Sequence, residues 1–263
     1  MKRRSFVKTS LLSTTLAGVL PLQNRVAEGK KSKQEFYELR VYTFKNTEQQ
    51  KITEDYFEQA AIPALNRLGS KSIGVFRELK PADQTRLFVI IPFASIEDFA
   101  QANDKLLNDT VYMASGSSYL NATAAAPAYE RIESALLKSF EHMPKITPPG
   151  RKPRIFELRR YESPTEMAGK RKIEMFNEKG EIDIFKRTGL VPVFFGESII
   201  GPLRPNLTYM LVFDDMAAHD AHWKVFGRDP EWKTISSQPE YTDAKIISHI
   251  TSTFLVPVEC SQV

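Results

Sequence analysis

The chain is written twice, and that limits its fold more than any other feature. Phe36-Tyr-Glu-Leu-Arg-Val-Tyr42 returns 119 residues later as Ile155-Phe-Glu-Leu-Arg-Arg-Tyr161. A long amphipathic stretch follows each copy. Residues 48–68 place Ile52, Tyr56, Ala60 and Leu65 at helical spacing, and residues 166–188 do the same with Ile173, Phe176, Ile184 and Phe185. Each stretch runs through a basic turn into a glycine, Gly69 or Gly189, which marks a helix end. Two apolar runs come next in each copy, 72–79 with 86–93 and 191–200 with 207–213, split by a Pro-containing turn that predicts a hairpin. Further helices are predicted over 95–107 and 216–226, with short helical stretches over 109–119 and 230–236. Closing strands are predicted over 129–137 and 245–256.

The order in each copy is β-α-β-β-α-β, the ferredoxin-like arrangement. The predicted fold class is therefore α+β, with two tandem ferredoxin-like domains at 36–140 and 155–257. Residues 141–154, rich in proline, read as the linker between them. A four-stranded sheet with helices on one face leaves its other face bare. Two such sheets in one chain can cover each other, so sheet-on-sheet packing into an intrachain dimeric α+β barrel is expected.

The N-terminus reads as an address. Lys2, Arg3, Arg4 and Lys8 precede a short, weakly apolar stretch ending near Pro21 and Leu22, which is too short to span a bilayer and has the layout of an export signal. The run Arg3-Arg-Ser-Phe-Val-Lys8 resembles the bacterial twin-arginine consensus. Residues 1–27 form the predicted signal segment, with a mature start near Glu28, and the protein is expected to be exported to the periplasm or beyond. An uncleaved signal is the one membrane anchor the sequence allows. The formal charge of +4 belongs to this segment: its five cations and no acids leave the remainder at −1. No basic face remains for a phosphate backbone, so nucleic acid is not an expected partner. The single cysteine, Cys260, excludes an intrachain disulfide.

The two Glu-Leu-Arg-x-Tyr copies, each followed by a long helix and a hairpin, resemble the NIPSNAP family of the dimeric α+β-barrel superfamily. The second copy matches better: Phe213-Asp-Asp leads into a helix with His219, His222 and Trp223, then Arg228-Asp-Pro-Glu-Trp232. The first copy has Asn108-Asp-Thr-Val-Tyr112 there, without the Pro or Trp. The resemblance implies the barrel but no settled activity. Among barrel relatives it implies cofactor-free monooxygenases and haem enzymes, which is analogy at the level of fold.

Strand alternation divides the repeated motif into two faces. Tyr37, Leu39 and Val41 share one, and Glu38, Arg40 and Tyr42 the other; Phe156 and Leu158 oppose Glu157, Arg159 and Tyr161. If the apolar face packs under the helices, the two Glu-Arg-Tyr sets point into the barrel and make a polar lumen. Such a lumen could bind a carboxylate or enolate through arginine, with glutamate as general base. The same residues could equally pair with one another and lock the two sheets together, and their repetition favours that structural use. His219 and His222, at i and i+3 beside Asp214 and Asp215, are candidate metal ligands if a third ligand arrives, and otherwise belong to a solvated helix start. His249 lies in the last strand on a face that alternation does not assign. Facing the lumen it would be a proton shuttle or haem ligand; otherwise it is a hydrogen-bonded strand residue. Trp223 and Trp232 read as packing residues of the helical layer.

The chain has no Gly-rich phosphate loop, Gly-x-Ser-x-Gly elbow, Cys-x-x-Cys or His-Glu-x-x-His. Three readings follow. The first is an exported module binding a small ligand or partner in or around the barrel. The second is a cofactor-free or haem-dependent oxidoreductase using the lumen, and the third is an interaction protein docking through 122–126 or its helices. Catalysis and cofactor are left open, and a homo-oligomer of barrels fits all three.

Overall fold

The computed structural model describes residues 33–80, 84–150, 152 and 154–263. The predicted signal and the mature start near Glu28 lie outside them, as do Arg151 and Pro153 of the predicted linker. The first copy comprises β1 (Phe36–Phe44), α1 (Thr47–Tyr56), a π-helical turn (Phe57–Ala61), α2 (Ile62–Arg67), β2 (Gly74–Glu78) and β3 (Thr85–Phe93). It continues through α3 (Ile96–Leu107), α4 (Thr110–Ser115) and α5 (Ser117–Leu120) to β4 (Arg131–Ser139). The second comprises β5 (Ile155–Glu162), α6 (Glu166–Asn177), α7 (Glu181–Arg187), β6 (Val191–Ile200), β7 (Asn206–Phe213), α8 (Met216–Phe226), α9 (Pro230–Ser236), α10 (Asp243–Ile246) and β8 (His249–Pro257).

The repetition extends to the helix ends. Side chains at equivalent places cap the helices by accepting a backbone N–H, Asn46 for α1 and Thr165 for α6, then Ser95 for α3 and Asp215 for α8. Asp109 caps α4 as Asp229 caps α9, and each takes an arginine from the end of an earlier helix, Arg67 of α2 or Arg187 of α7. The first copy thus keeps the aspartate of the Asp-Pro-Glu-Trp segment and its structural role. Gly69 and Gly189 hold φ of +99° and +87°, the left-handed helix end their positions predict.

Two predicted elements are corrected. The helix expected over 166–188 breaks after Asn177. Gly180, at φ +87°, re-aims the chain so that Glu181 of α7 turns inward onto Lys172. The closing strand expected from 245 begins only at His249, because 243–246 form α10.

All eight strands join into one closed antiparallel barrel, in the order β1-β3-β2-β8-β5-β7-β6-β4. The two sheets therefore meet edge to edge as well as face to face. One seam pairs Phe76 with Pro257 and Glu78 with Leu255; the other pairs Leu137 with Ser198 and Ser139 with Gly196. Closure leaves no open edge, and eight strands enclose a space that side chains can fill. That space holds Tyr37, Phe76, Phe88, Ile90, Leu137, Phe156, Leu158, Phe194, Met210, Val212 and Leu255, drawn from both copies. Ring contacts reach over each seam, Tyr37 to Phe194 at 5.3 Å and Phe76 to Phe156 at 5.1 Å. Two equivalent straps close in beside it. Thr147 donates to Val193 O and Gln262 to Ile73 O, which brings Ile146 and Val263 against the lumen cluster.

The expected polar lumen is thus corrected. The Tyr37 and Phe156 face fills the barrel, and the opposite faces of both sheets pack on the helices as two further cores. Both faces of each sheet are buried, so alternation alone separates the faces without saying which is inside. The apolar faces of the two related sheets cover each other, and the charged face goes to the helix layer, where Trp223 of α8 donates to Glu157.

Candidate functional site

In the first copy the Glu-Arg-Tyr set is closed on itself. Arg40 donates from Nε and Nη2 to the two oxygens of Glu38, each at 2.8 Å, and Ser134 of β4 donates to the same carboxylate at 2.9 Å. This bidentate geometry is the strongest pairing an arginine offers a carboxylate. Around it sit Tyr42, Tyr56, Tyr112 and Tyr119. Tyr56 and Tyr112 share a hydroxyl contact of 2.8 Å, and the Tyr56 and Tyr119 rings stack at 3.9 Å. Burial lifts the Tyr56 and Tyr119 phenols above their ordinary range, so they act as hydrogen-bonding groups and not as bases.

The second copy starts from the same residues and ends differently. Arg159 Nη1 donates to Glu157 Oε1 at 2.8 Å and Ser252 of β8 donates at 2.6 Å, matching Ser134. The other oxygen belongs to α8. Trp223 Nε1 donates to Glu157 Oε2 at 3.0 Å, and His219 Nε2 stands 3.3 Å from that oxygen, out of hydrogen-bond alignment. Aligned on their caps, α3 has Phe99 and Asn103 where α8 has His219 and Trp223. The packing is kept: Phe93 meets Phe99 at 5.5 Å, and Phe213 meets His219 at 5.0 Å. The Arg159 guanidinium lies over the Trp223 ring at 4.5 Å, and Tyr209 donates to the Tyr161 hydroxyl at 2.9 Å.

With α8 occupying one carboxylate oxygen, the bidentate pairing of the first copy is lost. Arg159 Nε, His219 Nε2 and the neighbouring His222 Nδ1 are buried without a hydrogen-bond partner among the described residues. Arg40 Nε, the counterpart of Arg159 Nε, is bonded. The Glu157 side chain is 1% exposed, yet Arg159 and His219 keep 19% and 14%. The cluster is thus deep at its carboxylate, while parts of the Arg159 and His219 side chains reach the surface. His219 Nδ1 meets Asp220 Oδ1 at 2.8 Å, and Asp220 stands in solvent at 76% exposure.

The remaining candidates do not join this cluster. His222 faces Gly189, where an added Cβ would lie 3.0 Å from its ring, and both α8 histidine rings meet Phe213, at 5.0 and 6.2 Å. Among the described residues no group of three or more His, Cys, Asp or Glu side chains could hold a metal. His249 pairs with Glu162 at the first position of β8, on the lumen side but exposed at the rim, far along the strand from buried Leu255. It is not placed to ligate a group inside the barrel. Surface clefts of about 720 and 250 Å3 have no member of either cluster in their walls.

Three participants escaped sequence reasoning. Trp223 was expected only to pack, and it also hydrogen-bonds Glu157. Ser252 could have been found by laying Ile250-Thr-Ser252 over Ile132-Glu-Ser134, since both serines face the motif arginine across the strand register. The third participant is a buried ion pair behind the cluster. Lys172 Nζ lies 3.0 Å from both oxygens of Glu181, within 5.4 Å of the Tyr161, Phe176 and Trp232 ring centres, with both partners almost fully buried.

Comparison with known proteins gives a family. The NIPSNAP family profile matches residues 37–144 and again 156–262. No curated protein matches the chain. Among solved structures, a proposed monooxygenase from Fusobacterium nucleatum superposes with a TM-score of 0.56 at 10% identity, over 86% of this chain and 93% of that one. A proposed monooxygenase from Lactobacillus acidophilus gives 0.55 at 10% identity, over 85% and 94%. A NIPSNAP family protein of unknown function from Agrobacterium tumefaciens is 20% identical over 40% of this chain and 88% of that one, with a TM-score of 0.35. At these identities the likeness is one of fold.

Proposed function

The chain belongs to the NIPSNAP family, and from that premise we propose that its second repeat binds a small, oxygen-bearing anionic ligand beneath α8 while its first repeat is a structural copy. The observation that carries this is the difference between two clusters built from the same motif. Arg40 spends its Nε and Nη2 on one carboxylate, whereas Arg159 keeps a buried Nε with no acceptor among the described residues. Buried donors without partners are rare in native proteins, and each costs on the order of 1–3 kcal/mol. A ligand oxygen at Arg159 would relieve that cost. The lumen is lined mainly by apolar side chains, with the Tyr37 and Ser198 hydroxyls buried among them. At 10% identity the monooxygenase names of the fold relatives convey the fold alone. Export through the twin-arginine route is part of the proposal on the strength of the Arg3-Arg4 run alone.

The test uses Trp223, which touches both Glu157 and Arg159, as its own reporter. In a Trp232→Phe background Trp223 is the remaining indole. Titration with benzoate is expected to change its fluorescence with a Kd in the millimolar range or below, about −4 kcal/mol. Arg159→Lys weakens binding about tenfold or more, because lysine cannot supply the forked donors, and Arg40→Lys leaves it unchanged. Equal effects of the two substitutions, or no saturable binding of benzoate, would overturn the reading.

A further inference from the structure

We propose that the second copy carries another ligand site, independent of the α8 cluster. It is the cleft between the chain leading into β5 and the strap after β8, where Arg154 would hold the carboxylate of a short aliphatic acid. The cleft encloses about 250 Å3. That is below the roughly 300–1,000 Å3 of sites for drug-sized ligands, so its occupant is small. Arg154, Ser261 and Gln262 line it together with Phe156, Pro257 and Val263. Phe156 belongs to the lumen core and Val263 packs against that core, so a cation and an amide share one space with the apolar end of the barrel.

Arg154 is the reason to expect an anion. Its Nε is buried and has no hydrogen-bond partner among the described residues, a rare condition for a native donor. Asp214, which feels the Arg154 charge, is held by Lys152 at 2.6 Å. Glu259, the acidic side chain in the cleft wall, is exposed, where water and salt screen it. Gln262 Oε1 accepts the Ile73 N–H at 3.1 Å, which leaves its amide NH2 as a second donor in the wall. With Lys152 spent on Asp214, one cation remains, and a monoanion matches it. A carboxylate offers the forked guanidinium two acceptors in one plane.

The repeat shows what a closed version of this position looks like. Arg154 stands one residue ahead of the repeated motif, where the first copy has Glu35. Glu35 Oε2 accepts the Ile146 N–H at 2.9 Å, so the acid is spent on its own strap. Thr147 and Gln262 make equivalent strap contacts, which makes Ser261 the counterpart of Ile146, and Ser261 gives its N–H to Val258 O. The second copy has thus exchanged the acid for a cation that its strap does not satisfy.

Titration of the full chain with butyrate, without benzoate, tests the site through the nitrogen-15 signal of the Arg154 Nε–H, assigned by its loss in Arg154→Lys. The signal should move to saturation. Each buried CH2 adds about fourfold in affinity, so butyrate should bind more than about tenfold tighter than acetate. Gly150→Leu obstructs the cleft while Arg154 stays in place. Gly150 is exposed in the cleft wall, and an added Cβ meets only Arg154 Nη2, at 3.9 Å, so the fold tolerates it. This variant should weaken butyrate about fivefold or more at an unchanged circular dichroism spectrum, and Arg159→Lys should leave butyrate binding at Arg154 as in wild type. An Arg154 signal that does not saturate, or Gly150→Leu binding as tightly as wild type, would overturn the site. Acetate binding as tightly as butyrate would overturn the aliphatic ligand class. Loss of the Arg154 response in Arg159→Lys would show that it reports the α8 cluster and would overturn the site's independence.

Discussion

Replacing Lys172 by methionine tests the buried pair behind the site, and the outcome should depend on pH with a sign the structure fixes. Burial pushes the Glu181 carboxyl from 4.5 up to about 7 even with the Lys172 ammonium beside it, which pulls the other way. A carboxyl whose folded pKa lies above its unfolded value favours folding below the unfolded value. That contribution is lost as pH rises through the folded value. For wild type the shift amounts to about 3 kcal/mol lost between pH 4.5 and 7, at about 1.4 kcal/mol per pH unit. Without the ammonium the folded value rises further and the loss continues to higher pH. Removing one partner of a buried ion pair costs roughly 3–5 kcal/mol when the survivor must ionise. Lys172→Met should therefore match or exceed wild-type stability at pH 5 and fall about 3–5 kcal/mol below it at pH 8.5. That corresponds to a Tm deficit of about 10 °C for a chain of this size. A second variant, Lys172→Met with Glu181→Leu, fills the site with apolar atoms and should stay within about 1 kcal/mol of wild type or above it at both pH values. Thermal unfolding followed by circular dichroism at the two pH values reads all three proteins. An equal Lys172→Met deficit at pH 5 and 8.5, or a double variant less stable than Lys172→Met at pH 8.5, would refute the reasoning.

Other expectations concern the repeated frame. Gly69→Ala should cost about 1 kcal/mol from its positive φ alone, since nothing lies within 4 Å of the added Cβ. Gly189→Ala should cost more, because its Cβ meets the His222 ring at 3.0 Å; urea midpoints separate the two. Asp109→Ala and Asp229→Ala should each lose about 1 kcal/mol, because each removes a helix cap, although Arg187 keeps Glu231 as a partner when Asp229 is lost. A much larger loss at Asp229 would show that the two copies are not mechanically equivalent. Phe156→Ala opens a cavity in the lumen between Phe76 and its neighbours and should cost about 3–5 kcal/mol by chemical denaturation, whereas a hydrated lumen would tolerate it.

The repeat made the architecture legible. Equal spacing of strand motif, long helix, glycine stop and hairpin fixes two ferredoxin-like units, and each unit's bare sheet face needs the other. What alternation does not reveal is direction. In β1 and β5 both faces are buried, so Tyr37 and Glu38 separate cleanly into two sets while inside and outside remain exchangeable until the second sheet is considered. The same ambiguity hid the site. Glu157 and Arg159 were visible from the motif, but their partners arrive from elements over 60 residues away, Trp223 on α8 and Ser252 on β8. Trp223 carried a signal that packing alone explains. Lys172 and Glu181 were hidden by helical periodicity, which predicts one continuous helix across a break that only Gly180 announces.

The claim at the centre of this account is that Arg159, and not Arg40, has a donor waiting for a ligand. Nitrogen-15 correlation spectra of the arginine Nε–H groups test it directly, with the two signals assigned through Arg159→Lys and Arg40→Lys. On addition of benzoate the Arg159 Nε–H signal should move progressively to saturation while that of Arg40, held by Glu38, stays in place. Movement of the Arg40 signal alongside it, or an Arg159 signal that stays still, would contradict the account.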